Sequence, residues 1–276
     1  MNIINKSPLS KKINCYNVAY NPKLLFAIPR LNNTKIFCDT SKKILFRGFD
    51  IWTAYEFSWL NLKGKPKIAI LQIIVPANSP NIIESKSLKL YLNSFNQNKI
   101  ENNIDKILIQ DISKAIGSEI QLNFIEPHQF HKIHKIQKLK GICLDDLDIQ
   151  TNTYIPDEKI LKNIDSNHII TEHLVSNLLK SNCPVTNQPD WASIQISYTG
   201  KPIDHYSLLK YLISFRNHND FHEHCIERIF FDIKSICNPK KLTIYGRYTR
   251  RGGIDINPWR TDSKKFPNSI LRVIRQ

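Results

Sequence analysis

Residues 84–95 (ESKSLKLYLNSF) return 120 positions later as residues 204–215 (DHYSLLKYLISF), and six of the twelve positions are identical. The shared residues are Ser87/Ser207, Leu88/Leu208, Tyr91/Tyr211, Leu92/Leu212, Ser94/Ser214 and Phe95/Phe215. Their apolar members recur at three and four residues, the period of a helix with one buried face. Shared helix packing accounts for much of such a likeness. The elements around the two copies also repeat in order, which argues for an internal duplication. At 276 residues the chain has room for two domains rather than one open sheet.

The order around the first copy reads strand, strand, helix, helix, strand. Phe49–Leu60 is aromatic and partly alternating, and Lys67–Val75 is a largely apolar run closed by Pro76. Residues 61–65, with Gly64, form the hairpin between them. The pattern from Glu84 to Gln97 predicts a helix, and Ile104–Ile116 predicts a second, stopped by Gly117. Residues 119–125 alternate as a short strand. In the second half Trp191–Tyr198 alternates, Tyr206–Phe215 and His222–Cys237 have helical period, and Leu242–Tyr248 reads as a strand. The divisions expected are an irregular arm over 1–45, a first domain over 46–127, a polar connector over 128–165 and a second domain over 166–276.

Charge and cysteine usage narrow the setting. Lys and Arg number 39 against 24 Asp and Glu, a net charge of +15. That balance can steer an anionic ligand, but the lysines are scattered, and a Lys-, Ile- and Asn-rich composition also follows from AT-rich coding. No apolar run approaches the ~20 residues of a membrane span, and the N-terminal residues have no apolar core of a secretion signal. A cytoplasmic protein is therefore expected. The six cysteines (15, 38, 143, 183, 225 and 237) form no CxxC and read as reduced thiols. His128, His131 and His134 drift around a helix without an anchoring carboxylate, so no metal site is expected there.

Three segments could carry chemistry. Cys183 sits in SNCPVTNQPDW, where Pro184 and Pro189 fix the backbone and Asp190 supplies an acid seven residues on. A cysteine nucleophile with a proton donor beside it suits covalent attack; a core cysteine is the alternative. Glu223 in HEHC opens a helix, where a carboxylate either complements the helix end or holds a guanidine-like edge. His222 and His224 fall on different helix faces, unlike a zinc HExxH pair. Arg247, Arg250 and Arg251 flank Gly252 and Gly253, and Lys86 and Lys89 lie near the start of the first helix; together they offer phosphate ligands.

Together, CPVTNQPDW, SFRNHNDFHE, ESKSLKLYLNSFN and RRGGIDINPWR resemble the NADPH-dependent 7-cyano-7-deazaguanine reductases (the QueF family of queuosine biosynthesis) in their long two-domain form. The resemblance runs from Tyr20 to the C-terminus. It implies an α+β fold of tandem tunnelling-fold (T-fold) domains, each an antiparallel sheet with two helices packed on one face. It implies a nitrile reductase that uses two NADPH per nitrile through a covalent cysteine thioimide. Cys183 and Asp190 would be catalytic. Ile83, Glu84, Ser85, Phe221, His222 and Glu223 would bind 7-cyano-7-deazaguanine. Ser85, Lys86, Arg251 and Gly252 would hold NADPH, with no metal. A homodimer without a membrane or direct nucleic-acid partner is the expected state. Runner-up readings are a zinc cyclohydrolase of the same fold and a pteridine- or nucleic-acid-binding relative without turnover.

Overall fold

The computed structural model describes residues 19–30, 46–132, 136–263 and 272–276. The chain divides into two units, residues 1–34, 51–133 and 250–255 in the first, and 35–50, 134–249 and 256–276 in the second.

In the first unit a short strand β1 (Ala27–Pro29) comes out of the expected arm. It is followed by β2 (Arg47–Leu60), whose first residues belong to the second unit, then β3 (Pro66–Pro76), β4 (Asn81–Ile83), α1 (Ser85–Asn93), α2 (Ile104–Ile116) and β5 (Gln121–Ile125). The sheet order is β5-β3-β2, and β1 pairs with β4 apart from it. The turn between β2 and β3 holds because the Asn61 carboxamide oxygen accepts from the amides of Lys63 and Lys65. Helix α1 buries Leu88, Tyr91 and Leu92, the face expected from its period. It ends four residues before Gln97, because Ser94 turns its hydroxyl back onto the Tyr91 carbonyl. Gly117 closes α2 with a left-handed backbone, its amide donating a hydrogen bond to the Ser113 carbonyl.

The second unit holds β6 (Ile142–Cys143), β7 (Ile170–Asn182), β8 (Pro189–Gly200), α3 (His205–Ser214), α4 (His222–Ile236), β9 (Lys241–Tyr248) and most of β10 (Ile254–Thr261). Its order is β10-β9-β8-β7-β6, antiparallel apart from the two-residue β6–β7 pair. Ala192, Ile194, Ile196 and Tyr198 of β8 share one buried cluster with residues of α3 and α4, so both helices cover the same face of the sheet. The opposite face carries the alternating set Trp191, Ser193, Gln195 and Ser197.

Strand β7 escapes a reading of its sequence. The register shifts between Ser176 and Leu179, a β-bulge. Leu174 and Ser176 face the core before it, Leu179 and Ser181 after it, so the buried set changes parity and no single alternation survives. Asp145 holds the bulge by accepting from the Ser176 hydroxyl (2.7 Å) and from the Asn177 amide and carboxamide. Arg275 donates to the Asn177 carbonyl. Strand β10 is likewise hidden, because every residue of INPWRT and the two before it is buried, polar ones included. The polar connector also departs from expectation. Leu144 and Leu161 are buried in the second unit's core, single apolar residues spaced too irregularly to show a period.

The duplication extends to hydrogen bonds. Ser87 and Ser207 donate to the carbonyls of Glu84 and Asp204, and Ser94 and Ser214 to those of Tyr91 and Tyr211. Tyr91 donates to Asp111 at 2.7 Å and Tyr211 to Asp232 at 2.6 Å. Each tyrosine meets its phenylalanine, Phe95 or Phe215, edge-on at 5.3 Å. The shared residues therefore do matched structural work in each unit.

In the second unit the Arg260 guanidinium is fully buried, 2.7 Å from both Asp50 and Glu227. Burial alone would discharge it, but the two carboxylates outweigh that and raise its pKa above the ordinary arginine value. Removing one member of such a group strands the others. R260M should therefore lower unfolding stability by about 3–5 kcal/mol, with E227Q costing less because its carboxamide oxygen still accepts. Guanidinium unfolding midpoints of the two variants check this order.

Candidate active site

Cys183 follows the last residue of β7 and begins a tight loop. Its amide donates to the Gln188 carbonyl at 2.9 Å, and the Cys183 carbonyl accepts from the Asn187 amide at 3.0 Å. Asn187 has φ +57°, a left-handed conformation that asparagine tolerates. The loop is fastened sideways: Asn219 donates to the Asn187 side chain, Asn182 donates to that of Asn219, and the Asn182 amide reaches the His218 carbonyl. Proline on both sides and this asparagine lattice give the thiol a fixed backbone. Cys183 itself is 6% exposed.

Asp190 lies opposite Ser181 in the β7–β8 ladder, so it shares the face of Ser181, two residues before the thiol. Its Oδ2 stands 3.3 Å from His222 Nε2. His222 is the first residue of α4, after the cap residue Phe221, and its ring stacks on Tyr248 at 3.8 Å with 4° between planes. The next residue, Glu223, is buried in the first helical turn, where the unpaired amides of a helix start favour a carboxylate. Thus Cys183, Asp190, Phe221, His222 and Glu223 all belong to the second unit, and Asp190 and His222 meet directly.

Below them sits a second acid that the sequence did not single out. Asp220 accepts from the Phe221 amide and lies 3.2 Å from His224 Nδ1 and 3.5 Å from His218 Nε2. Burial pushes its carboxyl up, but the two imidazoles outweigh this and hold it down at about 2. Burial likewise works against a charged His224, yet Asp220, Glu227 and Glu223 raise its pKa. Tyr248 was missed as well; only its place at the end of β9, beside the site, could have marked it. Burial pushes the Cys225 thiol up to about 12 and that of Cys237 to about 11. Cys143 is exposed, and Cys15, Cys38 and His134 lie outside the described residues.

The first unit holds the remaining candidates. Ile83 is buried at the end of β4. Glu84, 1% exposed, caps α1 with both oxygens, accepting from the amides of Lys86 and Ser87 at 2.8 Å each. Ser85 and Lys86 occupy the first turn. Arg251 bonds Ile254 through backbone groups, and Gly252 (φ +61°) brings its backbone against Lys89, so close that a Cβ there would stand 3.1 Å from Lys89 Cδ. Gly252, Gly253, Lys89, Asn93 and Asn96 line a pocket of about 160 Å³.

Residues 16–124 match the family model described as "Nitrile reductase, 7-cyano-7-deazaguanine-reductase N-term", and residues 189–266 match "QueF-like protein". The NADPH-dependent 7-cyano-7-deazaguanine reductase of Bordetella avium is 50% identical over 275 residues, 99% of each chain. The chain belongs to the NADPH-dependent 7-cyano-7-deazaguanine reductase family. The members from Cupriavidus metallidurans and Ralstonia nicotianae are each 51% identical, covering 95% and 98% of both chains respectively. For this nitrile reductase family member, no helix among the described residues is long and apolar enough to cross a membrane.

The Asp220 pair makes a pH prediction. A carboxyl lowered to about 2 adds stability that is complete above the ordinary aspartate value of 3.8 and lost as pH falls through 2. The raised His224 contributes fully below the ordinary histidine value and loses its share as pH rises through its folded value. D220N should cost roughly 2 kcal/mol near pH 6, with the deficit shrinking between pH 4 and 2 and again as pH rises through the raised folded value of His224. Urea melts of both proteins across pH measure it.

Proposed function

We propose that the chain reduces the nitrile of 7-cyano-7-deazaguanine to an aminomethyl group, with Cys183 as nucleophile. The observation that carries this reading is the Asp190–His222 contact on the face next to the constrained Cys183 loop. Family membership and the printed names of the relatives support the substrate and the cofactor. The reading includes tandem tunnelling-fold domains, a homodimer and a cytoplasmic setting.

The Cys183 thiolate adds to the nitrile carbon. One π bond of C≡N breaks, and the nitrogen takes a proton from Asp190, giving a covalent thioimide. His222 stands within reach of the same carboxyl oxygen and can return a proton to it, and Tyr248 holds that ring by stacking. Burial of Cys183, Asp190 and Glu223 keeps water from the adduct. NADPH, when bound, supplies hydride, and two hydrides with two protons convert nitrile to amine. The C–S bond breaks once the carbon has been reduced a first time, returning Cys183 as thiolate. The glycine cradle at Gly252, which a Cβ would crowd, fits close approach of a phosphate-bearing cofactor with Lys86 and Arg251 as cations. Glu84 and Glu223 serve as acceptors for the guanine-like edge, with Ile83, Ser85 and Phe221 contributing to the base site and Ser85 to the cofactor site.

Mass spectrometry of intact protein mixed with the nitrile, without NADPH, should show one substrate mass per active chain, and C183A should show neither adduct nor turnover. Turnover retained by C183A would remove the covalent mechanism. D190A should keep most nitrile affinity while adduct formation falls at least a hundredfold, the usual scale of a lost general acid. Calorimetric titration beside single-turnover rates separates the two effects.

Recognition is tested at Glu84. Loss of its acceptor should weaken nitrile binding at least tenfold in E84A, from roughly 1–3 kcal/mol for a stranded donor. Alkylation of Cys183 by iodoacetamide should stay near the wild-type rate. Unchanged nitrile affinity in E84A would reduce Glu84 to a helix cap.

A further inference from the structure

The face of the β7–β8 hairpin opposite the core carries a second feature. Lys180 and Trp191 are partners across the ladder, one residue out of phase with Ser181 and Asp190, so they project from the other face. With Arg216, Asn217, Asn219 and Asn187 they line an open cleft of about 510 Å³. No carboxylate lines it.

Its cations are gathered and unneutralised. Lys180 Nζ donates at 2.7 Å to Asn182 Oδ1 and at 2.7 Å to the Arg216 carbonyl, which leaves its third N–H unused. The Arg216 guanidinium lies 5.8 Å from the centre of the Trp191 ring. Neither cation is ion-paired with a carboxylate among the described residues. Burial and the nearby Arg216 charge lower the Lys180 pKa, and Asp190, from the other face, opposes this only weakly. Two like charges held together by neutral carbonyl and carboxamide groups form a repulsive arrangement that an anion relieves. Trp191 is 38% exposed, whereas Trp52, Trp59 and Trp259 are buried, so the cleft also offers a planar platform.

We propose that this cleft binds a nucleoside monophosphate, the phosphate between Lys180 and Arg216 and the base on Trp191. Its volume falls in the range of small-ligand pockets, two cations match a phosphomonoester dianion, and aromatic stacking accepts any base. Asn182, Asn187 and Asn219 belong both to this cleft and to the lattice around the Cys183 loop, while neither Cys183 nor Asp190 lines it.

The test is calorimetric titration of the full chain with AMP, adenosine, inorganic phosphate and NAD⁺, with tryptophan fluorescence read alongside. AMP should bind at least tenfold more tightly than adenosine or phosphate alone. It should also bind at least tenfold more tightly than NAD⁺, whose phosphates are diesters, which distinguishes a free mononucleotide from the adenylate half of a dinucleotide. K180Q and R216Q should each weaken AMP binding at least fivefold, and W191F should remove most of the AMP-induced quenching. Prior alkylation of Cys183 should leave AMP affinity unchanged. Equal affinities for AMP and adenosine, K180Q and R216Q that bind AMP as wild type does, AMP affinity no better than that for NAD⁺, or loss of binding on Cys183 alkylation would each overturn the proposal. Circular dichroism and retained Cys183 alkylation establish that the variants are folded.

Discussion

Arg260 is the charge on which the second unit is organised. It reaches Glu227 on α4, Asp50 at the start of β2 and the Phe49 carbonyl. Glu227 stands one turn beyond Glu223, so the ion group fixes the helix whose first residue meets Asp190. A buried group of this kind is a poor source of net stability, because desolvation consumes most of the attraction. Its effect is directional: any sliding or rotation of α4 that parts Glu227 from Arg260 leaves a charge without a partner in a dry interior. The placement of His222 follows from that constraint as much as from apolar packing around Ile226, Ile229 and Phe230.

How far this was legible in the sequence depended on whether one side chain or many carried the signal. The two amphipathic helix pairs, the β2–β3 hairpin and the clean alternation of β8 came through because repetition averages out exceptions. Strand β7 did not, since a bulge reverses its phase midway, and β10 did not, since Arg260, Asn257 and Asp255 are buried polar residues whose partners are distant in sequence. The buried leucines of the polar connector were lost for a related reason: each packs alone, without neighbours to set a period.

The site shows the same division. Cys183 and Asp190 stood out through their prolines, and the HE pair through its place at a helix start. Resemblance to a family supplied Ile83, Phe221 and the cofactor set, which local chemistry alone left open. Tyr248 and the asparagines around the Cys183 loop were invisible, because their importance lies in contacts across 26 or more residues, such as Asn182 to Asn219 or Tyr248 to His222, and Asp220 was invisible although its partners His218 and His224 are only two and four residues away. An aspartate flanked by two histidines in sequence is unremarkable; only the fold turns both imidazoles onto it.

The bulge of β7 has a consequence for how this activity could disappear. Before it, even-numbered residues face the helices; after it, odd-numbered ones do, and Cys183 inherits the odd phase from Leu179 and Ser181. The same residues paired without the bulge would restore regular alternation and turn the segment after Asn177 over, carrying the thiol to the face that Trp191 occupies. Every side chain named in the chemistry would still be encoded, and a motif search would find each of them. Loss of Asp145, which holds the bulge, is therefore a route to a silent paralogue that point-by-point inspection of the chemical motifs would pass as intact.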